Sequence, residues 1–234
     1  MQPYFDNAAT SFPKPDEVYC AMEAYQRSCG ASPGRGAYLQ AKDATSLLDS
    51  CRKLLCELVN APSQKHCIFT LNCTDALNLT ICGIISYYLS RDEPVHVVTT
   101  AMDHNSVLRP LSFYAQQGVE YTVVQANKSG LVNPNDIKKS ITENTRLVAV
   151  AHGSNVTGSV QDLTAIGNIC GKVPFLVDAA QTMGHTHIDV QTMKIDLLAF
   201  PGHKGLLGPL GTGGLIIRPP IEKILLPQRT GGTG

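Results

Sequence analysis

The stretch LLAFPGHKGLLGPLGTGG, residues 197–214, sets one basic pair, His203–Lys204, among glycines and apolar residues. An ammonium group is expensive to desolvate unless it is paired, neutral or covalently used. A lysine followed by Gly, Leu and Pro is therefore a candidate for chemistry, and a lowered pKa would equip Lys204 to form a Schiff base with a carbonyl. Asp178 is a second candidate, because it ends the apolar run FLV. A carboxylate there needs a positive partner or several donors. Thr74 opens a helical pattern and joins a hydroxyl to free backbone N–H groups, a combination that suits phosphate; an ordinary N-cap is the plainer use of the same residue. His104 offers a flat ring. A Schiff-base lysine, an acid for a pyridinium nitrogen and a phosphate-binding turn together describe the protein partners of pyridoxal phosphate (PLP).

These residues need elements to position them. Helix-period apolar patterns run through 16–29, 41–59, 74–90 and 162–172. Apolar runs bounded by turn residues predict strands at 66–71, 94–100, 120–126, 146–152, 173–180, 195–200 and 213–218. Strands alternating with helices predict an α/β fold, with a mainly parallel sheet covered by helices on both faces. Ligands of such sheets sit outside the carboxyl ends of the strands. Five strand ends carry polar residues: 72–75, 103–106, 153–158, Asp178 with Gln181, and 201–204. Their convergence on one edge predicts a site there. The Gly-rich run 205–214 lacks the GK[ST] ending of a P-loop, and it precedes a strand instead of following one. Its glycines read as positions of close backbone approach.

Composition excludes several classes. With 43% apolar and 16% charged residues in 234, the chain suits a packed globular protein. Nineteen basic and nineteen acidic residues cancel, so no broad basic surface points to nucleic acid or an anionic membrane. The start lacks a signal-peptide pattern, and ICGIISYYL (81–89) is too short to span a bilayer. The reading is a soluble cytoplasmic protein. Its eight cysteines show no CxxC spacing and no zinc-ligand cluster with histidine, so they read as free thiols, and no metal site is expected.

The motifs YFDNAAT, DHNSV, HGSNVTGSVQDL, VDAAQ and GHKGLLGPLGTGGL follow one another from residue 4 to the end. In that order they resemble the class V aminotransferase superfamily, most closely its cysteine desulfurases and selenocysteine lyases. The resemblance implies the large domain of fold type I PLP enzymes and a homodimer. It makes Lys204 the lysine that holds the cofactor's aldehyde and later moves the substrate Cα proton, and Asp178 the partner of the ring nitrogen. By the same resemblance Gln181 bonds the phenolic oxygen, and His104 stacks on the ring and aids proton transfer. Thr74 and His203 contact phosphate, with Cys73 in the same loop in a structural role. Asn155 lies near substrate and ring, Ala8 and Ala9 lie at the substrate entrance, and Thr233 reaches a neighbouring subunit's phosphate.

The implied reaction converts L-cysteine to alanine and leaves sulfur on an enzyme thiol, for transfer to an acceptor protein. A low-pKa, exposed cysteine is required for that step. The chain departs from the family at Pro201, where members often carry a hydroxyl residue. None of its cysteines matches the nucleophile. The expected division is a segment 1–15 and a PLP-binding large domain 16–234, with the family's small C-terminal domain, bearing the nucleophilic cysteine and a carboxylate-gripping arginine, outside this chain. Selenocysteine lyase, aminotransferase or epimerase chemistry, or a non-catalytic fragment that keeps the fold, are the alternative readings.

Overall fold

All seven apolar runs form strands in the computed structural model, which describes residues 3–231. Strands β1 (Cys67–Thr70), β2 (His96–Thr100), β3 (Glu120–Val124), β4 (Thr145–Ala151), β5 (Phe175–Asp178), β6 (Leu197–Pro201) and β7 (Gly213–Ile217) build one sheet, ordered β1-β7-β6-β5-β4-β2-β3. Only β7 runs antiparallel, wedged between β1 and β6, with Gly213 paired to both Thr70 and Pro201. The ends of β1, β2, β4, β5 and β6 therefore share one edge with the start of β7. The path of the chain reverses between β2 and β4, the switch point at which open α/β sheets form their crevice.

Helices α1 (Asp16–Ser28), α2 (Leu39–Leu58), α3 (Cys73–Leu89), α4 (Asn105–Ala115), α5 (Pro134–Ser140) and α6 (Leu163–Cys170) are the α-helices of the described residues, accompanied by short 3-10 turns at Gln64–His66 and Ile221–Ile224. Alternate residues of each central strand point to opposite faces. Phe175 and Val177 join Val148, Leu198 and Phe200 on the face covered by Ile137 of α5 and Ile166 of α6. Leu176 joins Leu147, Leu197 and Leu215 on the other, under Leu77, Ile81, Ile84 and Ile85 of α3 and Leu111 of α4. Both faces are thus dry, which explains why these strands read as unbroken apolar runs instead of alternating ones. Helix α1 differs, burying none of its residues.

Boundaries shift by a few residues from the sequence reading. The patterns at 41–59 and 74–90 become α2 and α3, and the apolar run 173–180 narrows to β5 because the chain turns at Ala179. Two helices that periodicity did not single out, α4 and α5, follow β2 and β3. Thr233 lies outside the described residues.

Candidate functional site

The sheet edge opens into a cleft of about 140 Å³, lined by Asn72, Cys73, Thr74, His104, Ser106, Asn155, Asp178, Gln181, His203 and Lys204 together with apolar Leu77 and Met102. Nearly every cofactor residue read from the sequence thus faces one space. The two alanines read as the substrate entrance lie elsewhere. Ala8 and Ala9 sit in an exposed turn and do not line the cleft; the Ala8 carbonyl accepts a 3.0 Å bond from Gln181 Nε2, which ties that turn to the site.

Asp178 is 4% exposed at the end of β5. Its Oδ1 accepts from Ala180 N–H at 2.8 Å and from the Cys73 thiol at 3.4 Å. Burial pushes its carboxyl above the ordinary aspartate range, while the two donors, His104 and Lys204 pull the other way. Lys204 is held below the ordinary lysine range, chiefly by burial, against the opposing pull of Asp178, Cys73 and Asp6. An amine depressed in this way is more often unprotonated and so more nucleophilic. The Cys73 thiol is pushed well up by burial and by the neighbouring Asp178 charge, which leaves it protonated and inert as a nucleophile.

At the start of α3 the capping residue is Asn72, whose side chain accepts from Asp75 N–H at 2.8 Å. Thr74 therefore is not the cap. Its hydroxyl is free for another use and lies 2.8 Å from Ser106 Oγ. Among the described residues no acceptor faces the backbone N–H groups of Cys73 and Thr74. Gly213 makes this geometry possible, since a Cβ there would fall 2.6 Å from the Asn72 carbonyl carbon. His104 caps α4: its Nδ1 accepts from Ser106 N–H at 3.1 Å and lies 2.8 Å from Ser106 Oγ.

The loop carrying Lys204 is fastened from far away in sequence. The His203 carbonyl accepts from Ser11 N–H at 3.2 Å, from the Thr10 and Ser11 hydroxyls at 3.1 and 3.0 Å, and from Lys14 Nζ at 2.6 Å. The His203 ring lies 3.0 Å from Thr10 Oγ1, and burial followed by the charges of Lys204 and Lys14 lowers its pKa. Ser106 belongs to the polar strand end 103–106 but carries no role of its own in the sequence, and Thr10, Ser11 and Lys14 are not singled out there. Thr10, Ser11 and Lys14 lie in the N-terminal stretch DNAATSFPKP, outside every strand end, and nothing local assigns them a distant partner.

A PLP cofactor fits this donor set. Asp178 is a buried carboxylate with no ion-paired cation among the described residues, and both of its protein donors occupy Oδ1. Oδ2 is left for a protonated ring nitrogen. Unpaired N–H groups at the start of a 17-residue helix suit a phosphate. Lys204 lines the same cleft with a desolvated amine.

Comparison with known proteins agrees with the geometry. The aminotransferase class-V family profile matches residues 3–234. A probable cysteine desulfurase of Methanothermobacter thermautotrophicus is 39% identical over 231 residues, which are 98% of this chain and 56% of that protein. The apo structure of a cysteine desulfurase from Thermococcus onnurineus NA1 superposes with a TM-score of 0.90 at 33% identity, covering 98% of this chain and 56% of that one. The structure of SspA in complex with cysteine gives 0.91 at 31% identity, covering 99% and 65%. The chain spans about half the length of the curated relatives it matches. With the family profile matched from end to end, and a lysine, a buried carboxylate and an open helix start in one cleft, the chain belongs to the class V aminotransferases, a family of pyridoxal-phosphate enzymes.

Proposed function

We propose that the protein carrying this chain is a PLP-dependent cysteine desulfurase, with L-cysteine as substrate and alanine and protein-bound sulfur as products. The observation that carries this reading is the cleft itself, where Lys204, Asp178 and the open start of α3 face one another. The likeness to cysteine desulfurases over 98% of the chain supports the choice of substrate. When bound, PLP supplies an electron sink for a carbanion at the substrate Cα.

The chain's residues would divide the work as follows. Lys204 Nζ would hold the cofactor's aldehyde, and its depressed pKa would suit the same amine to take up a proton from the substrate Cα. Asp178 Oδ2 keeps the ring nitrogen protonated. Thr74, with the N–H groups at the start of α3, and His203 hold the phosphate, and Cys73 supplies one of those N–H groups. The His104 ring would stack on the cofactor and assist proton movement, Gln181 would bond its phenolic oxygen, and Asn155 would serve ring and substrate. Ala8 and Ala9 flank the entrance. Among the described residues Cys73 alone brings a thiol to the cleft, and its protonated state unsuits it to receive sulfur.

A homodimer belongs to the same proposal. Exposed Tyr19 and Met22 on α1, and Leu39, Leu47, Leu54 and Leu58 on α2, are apolar surface of the kind a subunit interface or a further domain covers. We place the protein in the cytoplasm, supported by eight cysteines that are all unpaired; an acceptor protein takes the sulfur onward. No helix among the described residues is long and apolar enough to cross a membrane.

The decisive experiment combines product and mass analysis. Borohydride reduction of the PLP-loaded full-length protein should fix a phosphopyridoxyl group on Lys204, and L-cysteine should yield alanine. Lys204→Ala should abolish both the adduct and turnover while leaving the unfolding midpoint within a few degrees. An adduct that persists in that variant would refute the assignment of Lys204. PLP bound with no alanine formed from cysteine would refute the desulfurase reading.

A further inference from the structure

Cys73 and Asp178 lie 105 positions apart, one opening α3 and the other closing β5, yet their side chains meet at 3.4 Å. Both are buried, at 8% and 4% exposure. The contact has a direction. Asp178 has only acceptor atoms when ionised, and the Cys73 thiol has one proton to give. Burial and the facing carboxylate both keep that proton on sulfur. The thiol is the donor and Oδ1 the acceptor.

The second donor to Asp178, Ala180 N–H, also reaches Oδ1, at 2.8 Å. Among the described residues nothing in the protein donates to Oδ2. Two donors on one oxygen, one from the start of α3 and one from the turn after β5, fix the plane of the carboxylate and leave its other oxygen to the cleft. A single backbone donor two residues along the chain would leave the group free to turn. A donor on a carboxylate also withdraws negative charge from it and lowers its proton affinity. Packing alone would be served as well by any small apolar side chain, because a buried cysteine ordinarily behaves as one.

We propose that Cys73 is a positioning residue for Asp178, whose thiol hydrogen bond aims Oδ2 at the cofactor's ring nitrogen and tempers the basicity of the carboxylate. The inference rests on the PLP reading of the cleft and assigns the side chain of Cys73 a role that its place in the phosphate loop does not require. The chemistry is a hydrogen bond held in place, with no covalent step.

Two measurements test it. The first needs no cofactor. The infrared S–H stretch falls in a window free of other protein bands, and Cys73→Ala identifies the component due to this thiol. Asp178→Asn should move that component to higher frequency, because a neutral amide is a weaker acceptor than a carboxylate. An unmoved band would overturn the pairing. The second uses the PLP-loaded full-length protein without substrate and follows the pH titration of the bound cofactor's long-wavelength absorbance. Loss of the donor should make Asp178 a stronger acceptor from the ring nitrogen and raise electron density in the ring. Cys73→Ala should then shift the midpoint upward by about 0.5–1 pH unit, a 3- to 10-fold change in proton affinity of the kind one hydrogen bond to a charged group can produce. Cys73→Ser, which restores an O–H donor, should return it most of the way. Identical midpoints in the parent and Cys73→Ala, or equal shifts in the Ala and Ser variants, would reduce Cys73 to packing and overturn the proposal. Absence of a cofactor band in the parent protein would sink the PLP reading instead, with the infrared result still deciding whether the pair exists.

Discussion

Ser106 joins two parts of the cleft that the motifs present separately. Its hydroxyl lies 2.8 Å from Thr74 Oγ1 and 2.8 Å from His104 Nδ1, so one side chain orients both the helix-start hydroxyl and the imidazole ring. Ser106→Ala removes both contacts but keeps the Ser106 N–H bond to His104, and it should leave the fold intact. The cofactor should then dissociate about 3- to 10-fold faster, as expected from about 1 kcal/mol per hydrogen bond; following released PLP after dilution reads this directly. An unchanged rate would mean that Thr74 and His104 hold their positions without it. Lys204 and Asp178 were legible in the sequence because each is a charge next to an apolar run, a placement that costs free energy unless something compensates. Ser106 was legible only as part of the polar strand end 103–106, and Thr10 and Lys14 were not, because nothing in their own stretch gives them a partner far along the chain.

Among the elements, α3 ties the core to the site. It begins at Cys73 in the cleft and buries Ile81, Ile84 and Ile85 completely against β4, β6 and β7. Ile84→Ala should destabilise the protein by about 2–5 kcal/mol through lost burial and the cavity left behind, measured as a lower urea midpoint at constant slope. A loss below about 1 kcal/mol would mean that α3 settles into the gap, contrary to its tight packing. The strands were readable because both faces of the sheet are covered, making each one a short apolar run flanked by turn residues. Helices α4 and α5 were harder to see. Helix α5 has seven residues and buries only Ile137, too few turns for a period to register, and α4 carries Pro110 in its interior.

For the molecule as a whole, two buried titratable groups set opposing pH dependences. Asp103 Oδ2 accepts from the Thr99 and Thr100 hydroxyls and from Thr100 N–H, while Oδ1 has no partner among the described residues. Burial raises this carboxyl to about 7 from 3.8. The fold thus disfavours its ionised form, and its contribution to stability falls as pH rises from about 4 to 7. His152 is buried with Nδ1 unpartnered among the described residues, and burial lowers it to about 4 from 6.5. The fold favours its neutral form, so that contribution is complete above 6.5 and is lost as pH falls toward 4. Each slope is about 1.4 kcal/mol per pH unit where only one state is protonated, and over the shared range they cancel. Asp103→Asn should gain stability relative to the parent as pH rises through this window, and His152→Gln should lose it. Urea midpoints for parent and variants at about pH 4.5, 5.5 and 6.5 check the signs. Differences that stay constant with pH would show that neither group's pKa moves on folding.

The sequence by itself determined the α/β class, the seven strands and the polar strand-end residues that line the cleft. Apolar periodicity is local information, and a charge beside an apolar run is anomalous wherever the chain later places it. Only the tertiary structure decided which of those residues meet. The insertion of β7 between β1 and β6 brings Gly213 against Asn72 and opens the start of α3. The order of the strands brings Cys73 to Asp178, and the docking of residues 10–14 fastens the His203 carbonyl beside Lys204. Such contacts span one to two hundred residues and depend on strand order and register, which the sheet acquires only when its two faces are packed together.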